Sequence, residues 1–137
     1  YEYSLVQPVS SLQKQNKGTR PLAIVLVLDD IIGKLPHQGG ELGMFITRSR
    51  HFGVSTVLTT QQLRLVAPVF RENSSAMVVF KIPNHEELRK LRQEIANFDQ
   101  AYNAAIVQQP PYSFLYIRIN GGVIEYYVRF EQLLFKV

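Results

Sequence analysis

Between Leu22 and Leu28 the chain reads LAIVLVL, an unbroken apolar run that ends on two aspartates, Asp29 and Asp30. A strand with one wet face alternates polar and apolar residues. A continuous run predicts a strand buried on both faces, the kind found in parallel sheets covered by helices. Two further strand-like runs follow, Val54–Thr60 (VSTVLTT) and Ala76–Ile82 (AMVVFKI). Between the first two, residues 41–52 carry helical periodicity, with Leu42, Phe45, Ile46 and Ser49 on one face and Arg48, Arg50 and His51 elsewhere. Gly53 stops that helix. Strand, helix, strand, short helix, strand, helix predicts an α/β fold built on a mostly parallel sheet with crossover helices.

The rest of the chain fits around this. Residues 10–15 can form a short helix, residues 16–20 a polar break and residues 33–40 a loop with Pro36, Gly39 and Gly40. Leu63–Arg71 reads as a short helix or turn broken near Pro68. Asn84–Phe98 is predicted as one helix, capped by Asn84 with Glu87 three residues on. Its apolar stripe is Leu88, Leu91, Ile95 and Phe98. Residues 99–111 read as a connection. SFLYIRI and VIEYYVRF flank Asn120-Gly121, a type I′ turn signal, and predict a C-terminal β-hairpin within 112–130. Its apolar face would hold Leu115, Ile117, Ile119, Ile124, Tyr126, Val128 and Phe130, and its wet face Tyr116, Arg118, Glu125 and Arg129.

The 137 residues suffice for one domain with a core, 46% of them hydrophobic, and no repeat is visible. The longest apolar run is too short to span a bilayer. No secretory leader is visible near Tyr1, and there is no cysteine, so an intracellular, non-secreted protein without disulfides is expected. The three histidines, His37, His51 and His85, are well separated, which argues against a His-based metal site. A net charge of +4 permits contact with phosphates without requiring it.

Side chains at the carboxyl ends of parallel strands project into the crevice where ligands bind. Adjacent residues on extended chain point in different directions, so one aspartate can hold Mg²⁺ through water while the other meets a second water. A bound cation would also relieve the repulsion between the two carboxylates. The plainer alternative is that Asp29 and Asp30 start a turn or cap the next segment. Gln61 ends the second strand as the aspartates end the first. If the strands are neighbours, its amide lies beside the carboxylates, where it can touch a terminal phosphate or orient water; alternatively, it caps the following turn.

The stretch VLVLDDII, then RSRHFGVSTVLTTQQ, then PVFRENSSAMVVFKI resembles the viral genome-packaging ATPases of the poxvirus and giant-virus type, which group with the FtsK/HerA translocases among P-loop ATPases. The resemblance covers residues 22–98 and rests on the ordered set Asp29-Asp30, Arg50-His51, Gln61, and Arg71 with Asn73. It implies a partial P-loop (RecA-like) fold in which Leu22–Leu28 is the Walker B strand. Asp29 would bind Mg²⁺ through water as part of the ATP site, and Asp30 would polarise the attacking water. Gln61 would sense the phosphate. Arg71 belongs to an Arg-x-Asn motif with Asn73. Arg50 or Arg71 would reach a neighbouring subunit's nucleotide, with Arg48 ranking behind them. His51 is read as a structural helix-end residue. The implied partners are double-stranded DNA, bound without sequence preference, further copies of the chain in a ring, and viral capsid proteins. The implied setting is the site of virion assembly or the virion itself. Lys34, Arg48, Arg50, Lys81, Lys90 and Arg92 are the basic residues available for DNA phosphates.

The sequence contains no G-x-x-x-x-G-K followed by Ser or Thr: Lys17-Gly18-Thr19 has the wrong order, and Gly33-Lys34 is followed by Leu35. With a start at Tyr1, the expectation is the C-terminal part of a longer ATPase, inactive by itself. Two other readings compete. One is a non-catalytic α/β module that docks partners through the aromatic hairpin. The other is a fragment of a RecA-like helicase.

Overall fold

The computed structural model describes residues 6–15, 23–30 and 41–137. The expected break at 16–20, the loop at 33–40, Lys34, and Leu22 of the first strand lie outside the described residues. The chain divides into two compact units, residues 1–73 and 74–137, so the boundary falls inside the 22–98 span that the sequence reads as one core.

In the first unit, β1 (Ile24–Asp29) and β2 (Val54–Thr59) pair in parallel, in register from Ile24 opposite Val54 to Asp29 opposite Thr59. Parallel neighbours need a crossover, and α2 (Glu41–Arg48) lies between them in the chain. A 3₁₀ turn, Ser49–Phe52, follows, and Gly53 leaves it at φ 64°, a left-handed conformation that glycine adopts without a Cβ clash. The N-terminal helix α1 (Val6–Gln15) is longer than the sequence suggests. Val9 of α1 and Val54 of β2 are buried, with Ile24, Leu26 and Ile46 packed against them. Beyond β2, a 3₁₀ turn (Leu63–Leu65) leads to α3 (Pro68–Glu72), whose proline sits in the first turn, where its missing N–H costs nothing.

The expectation that the first strand is covered on both faces is corrected. Leu28 is buried and Ile24 and Leu26 half-buried, whereas Val25 and Val27 are 60% and 59% exposed. Val57, opposite Val27, is 48% exposed. An apolar run states which surroundings suit it; the described residues supply a covering layer on one face only.

The second unit is an antiparallel sheet in the order β3 (Ala76–Val79), β4 (Leu115–Asn120), β5 (Val123–Val128), β6 (Gln132–Lys136). The α/β class and the hairpin hold, but among the described residues parallel pairing is confined to β1 and β2. The third strand, placed by alternation in the parallel sheet, pairs antiparallel with β4, Ala76 opposite Arg118 and Val79 opposite Leu115. An apolar run does not encode its partner, and β4 offers an edge. The hairpin turns at Gly121 and Gly122, φ 58° and 86°, while Asn120 stays in the strand opposite Val123. The turn is one residue later than predicted, which moves the pairing by two residues and leaves each side chain on its predicted face. Leu115, Ile117, Tyr126 and Val128 are buried together on one side. Phe130 departs from that set. Arg129 is left-handed at φ 54°, and the Phe130 ring instead meets Phe114 and Tyr116 at 4.9 and 5.1 Å. The strand β6 was not foreseen.

The predicted helix over 84–98 is two helices. In α4 (His85–Glu94), Asn84 Oδ1 accepts the Glu86 N–H at 2.9 Å and caps the start. Ile95 is extended and Asn97 left-handed at φ 52°, a conformation that asparagine tolerates better than most residues. Helix α5 (Phe98–Tyr102) then continues into a π-helical turn, Asn103–Val107, where the sequence suggests a plain connection. Leu88, Leu91, Ile95 and Phe98 are all buried as expected. The Tyr126 hydroxyl donates to the Ala96 carbonyl, and burial pushes its pKa up.

On the other side of this sheet, Glu125 accepts from Lys136 Nζ at 2.5 Å and from the Tyr127 hydroxyl at 2.9 Å, with Arg118 Nη1 at 3.6 Å. The Lys136 hydrogen bond, then that of Tyr127, holds the Glu125 carboxyl below its ordinary value. A lowered folded-state value gives stability that is present above the unfolded-state value and is lost as pH falls through the folded one. Urea unfolding across acid pH is therefore expected to show Glu125→Gln less stable than the parent at neutral pH, with the gap closing on acidification. No described helix is long and apolar enough to cross a membrane.

Candidate functional site

The parallel register brings the ends of β1 and β2 side by side, with Asp29 opposite Thr59. The Thr59 hydroxyl donates to Asp29 Oδ1 and accepts the Asp30 N–H at 3.3 Å. A hydroxyl carries one proton, and this one is directed at the carboxylate. Asp30 has φ 48°, in the left-handed region that aspartate and asparagine visit more readily than most residues. The chain therefore bends at the second aspartate, as the turn-starting reading expects. Any cap to the following segment lies outside the described residues. Both carboxylates are exposed. In the sequence Thr59 carries a single signal, a hydroxyl residue at the end of the second strand.

Downstream of β2 the chain is tied down residue by residue. Thr60 Oγ1 accepts the Gln62 N–H and donates to the Gln62 carbonyl, each at 3.0 Å, closing a tight turn about Gln61. Gln62 Oε1 accepts from Arg64 Nε at 3.0 Å. Gln61 is exposed and makes no hydrogen bond with another described residue. The residue at the N-cap position of the Leu63–Leu65 turn is Gln62, not Gln61, and its side chain makes no capping hydrogen bond there. Arg71 Nη1 donates to the carbonyls of Val66 and, at 3.4 Å, Leu63. Asn73 Nδ2 donates to the Val69 carbonyl at 2.7 Å and ends α3. Arg71 and Asn73 thus brace the segment that follows Gln61.

Arg50 lies in the 3₁₀ turn ahead of β2, and its side chain is outside the described residues. Arg48 and His51 are exposed. Lys81, Lys90 and Arg92 belong to the second unit, where Arg92 Nε pairs with Asp99 Oδ1 at 2.6 Å.

Carboxylate and hydroxyl oxygens suit Mg²⁺, which keeps most of its waters and accepts one or two protein carboxylates. Among the described residues no group of three or more His, Asp or Glu side chains converges into a protein cage. Asp29 fits that partial role: Oδ1 is oriented by Thr59, and the carboxylate stands exposed at a strand end. The 137 residues include no glycine-rich lysine loop to cradle a triphosphate.

No family model matches the chain, and no curated protein matches it. Solved structures do. The genome-packaging NTPase B204 from Sulfolobus turreted icosahedral virus 2, in complex with ATP-γ-S, superposes with a TM-score of 0.65 at 18% identity, over 92% of this chain and 63% of that one. The same NTPase in complex with AMP gives 0.61 at 19%, again over 92% and 63%. B204, the DNA-packaging ATPase from Sulfolobus turreted icosahedral virus, gives 0.68 at 17%, over 92% and 60%. The chain thus spans about three-fifths of the length of the structures it matches, and over that span its α/β fold is similar to that of a viral DNA-packaging ATPase.

Proposed function

We propose that this chain is the C-terminal part of an ATP-driven DNA-packaging translocase of the poxvirus and giant-virus type, within the FtsK/HerA group, with its phosphate-binding loop on an upstream segment. The observation that carries the reading is the pairing of Asp29 with Thr59 at adjacent parallel strand ends, two residues before Gln61. The fold likeness supports it. So does the bare face of Val25, Val27 and Val57, the kind of surface that a further layer of a larger sheet covers.

In this reading β1 is the Walker B strand. Asp29 holds Mg²⁺ through water, which supplies charge neutralisation on the ATP phosphates. Asp30 accepts a proton from the attacking water. Gln61, at the turn that Thr60 closes, donates its amide to the terminal phosphate. Arg50 or Arg71 serves the neighbouring subunit of a homo-oligomeric ring, and Asn73 lies near the nucleotide. Double-stranded DNA is held through its phosphates, independently of sequence, at the site of virion assembly, with capsid proteins as further partners.

The purified 137 residues are expected to show no magnesium-dependent ATP hydrolysis, while the intact protein hydrolyses ATP faster with duplex DNA present. Robust turnover by the 137 residues would overturn the reading. Stimulation by single strands only, with binding that weakens as salt rises, would favour a helicase.

A further inference from the structure

The pair of hydrogen bonds at Thr59 carries more than the geometry of a strand end. Its hydroxyl accepts the Asp30 N–H and donates to Asp29 Oδ1, so a single oxygen ties the carboxylate of one aspartate to the backbone of the next. All three residues are exposed. An exposed carboxylate on two free torsions samples several rotamers, and an exposed peptide at φ 48° has ready access to other conformations. Neither is held by burial, and the hydroxyl is the described group that links them. We propose that Thr59 is a positioning residue that presets the Asp29 carboxylate and the Asp30 turn for the cation. It leaves Asp29 Oδ2 for a magnesium-bound water and keeps Asp30 in the left-handed conformation. Partners that orient a ligating carboxylate without touching the metal commonly change metal affinity 10- to 100-fold when removed. This inference rests on the proposed role of Asp29.

The test uses the intact protein, with Mn²⁺ as the probe, in the presence of ATP-γ-S, and reads metal affinity by electron paramagnetic resonance. Thr59→Val keeps the β-branch and strand propensity and deletes the hydroxyl. It is expected to weaken Mn²⁺ binding about tenfold with thermal unfolding close to the parent's, because water can replace the lost bonds at this exposed position. Thr59→Ser restores the hydroxyl and is expected to bind Mn²⁺ within about threefold of the parent, which a purely steric role for Thr59 does not produce. Asp29→Asn is expected to lose Mn²⁺ binding. If Asp29→Asn loses binding and Thr59→Val does not, the positioning role is overturned and the reading of Asp29 stands. If Asp29→Asn binds Mn²⁺ as the parent does, the reading of Asp29 is overturned and the role of Thr59 falls with it.

Discussion

Replacing Asp30 by asparagine in the intact protein is expected to slow ATP hydrolysis about 10²- to 10⁴-fold, the usual contribution of a positioned general base. That corresponds to about 3–5 kcal/mol of lost transition-state stabilisation. Nucleotide affinity is expected to stay within about threefold, since the change removes a proton acceptor and no binding contact. Asparagine is the informative replacement because of the backbone. At φ 48° it is tolerated nearly as well as aspartate, and its N–H can still donate to the Thr59 hydroxyl. Alanine would add strain in the left-handed region to the loss of the carboxylate and blur the two effects. Single-turnover hydrolysis together with equilibrium nucleotide binding separates the outcomes. A variant that turns over at the parent rate would remove Asp30 from the chemistry and leave a partner-binding module as the better account of the fold.

The features legible in the sequence are those that local rules govern. LAIVLVLDD gives a strand with carboxylates at its end, Gly53 ends the helical segment before β2, and the segment after β2 breaks near Pro68. Leu88, Leu91, Ile95 and Phe98 are buried as their spacing suggests. What escaped depends on partners distant in the chain or on a single backbone conformation. Ala76–Val79 has the composition of a parallel strand, but its partner is β4, some forty residues on. Asn97 and Arg129 each turn left-handed; one splits a helix and the other moves Phe130 to the opposite face. At the site, Asp29, Asp30 and Gln61 stand out because their residue types suggest chemistry. Thr59 is unremarkable until the parallel register sets it against Asp29. A register is a relation between strands, and neither strand's composition states it.

Phe98→Ala in the 137-residue chain is expected to cost about 3–5 kcal/mol, the range for emptying a large aromatic site in a core that collapses only partly. Phe98 is 1% exposed, and its ring stacks on Tyr102 at a centroid distance of 5.3 Å. It opens α5 directly after the left-handed Asn97, so its packing fixes where the second helix begins. A unit the length of residues 74–137 has about 3–10 kcal/mol of stability in all, so the variant is expected to leave it marginal. Tyrosine near-ultraviolet circular dichroism can follow this, because five of the seven tyrosines (Tyr102, Tyr112, Tyr116, Tyr126 and Tyr127) lie in that unit. Phe98→Leu keeps most of the volume and is expected to cost under about 1.5 kcal/mol. The contrast between the two substitutions is the informative quantity. If both cost under about 1 kcal/mol in urea unfolding, Phe98 does not anchor α5 in the core. A large gap between them locates the stability of this unit in the volume that the buried Phe98 ring fills.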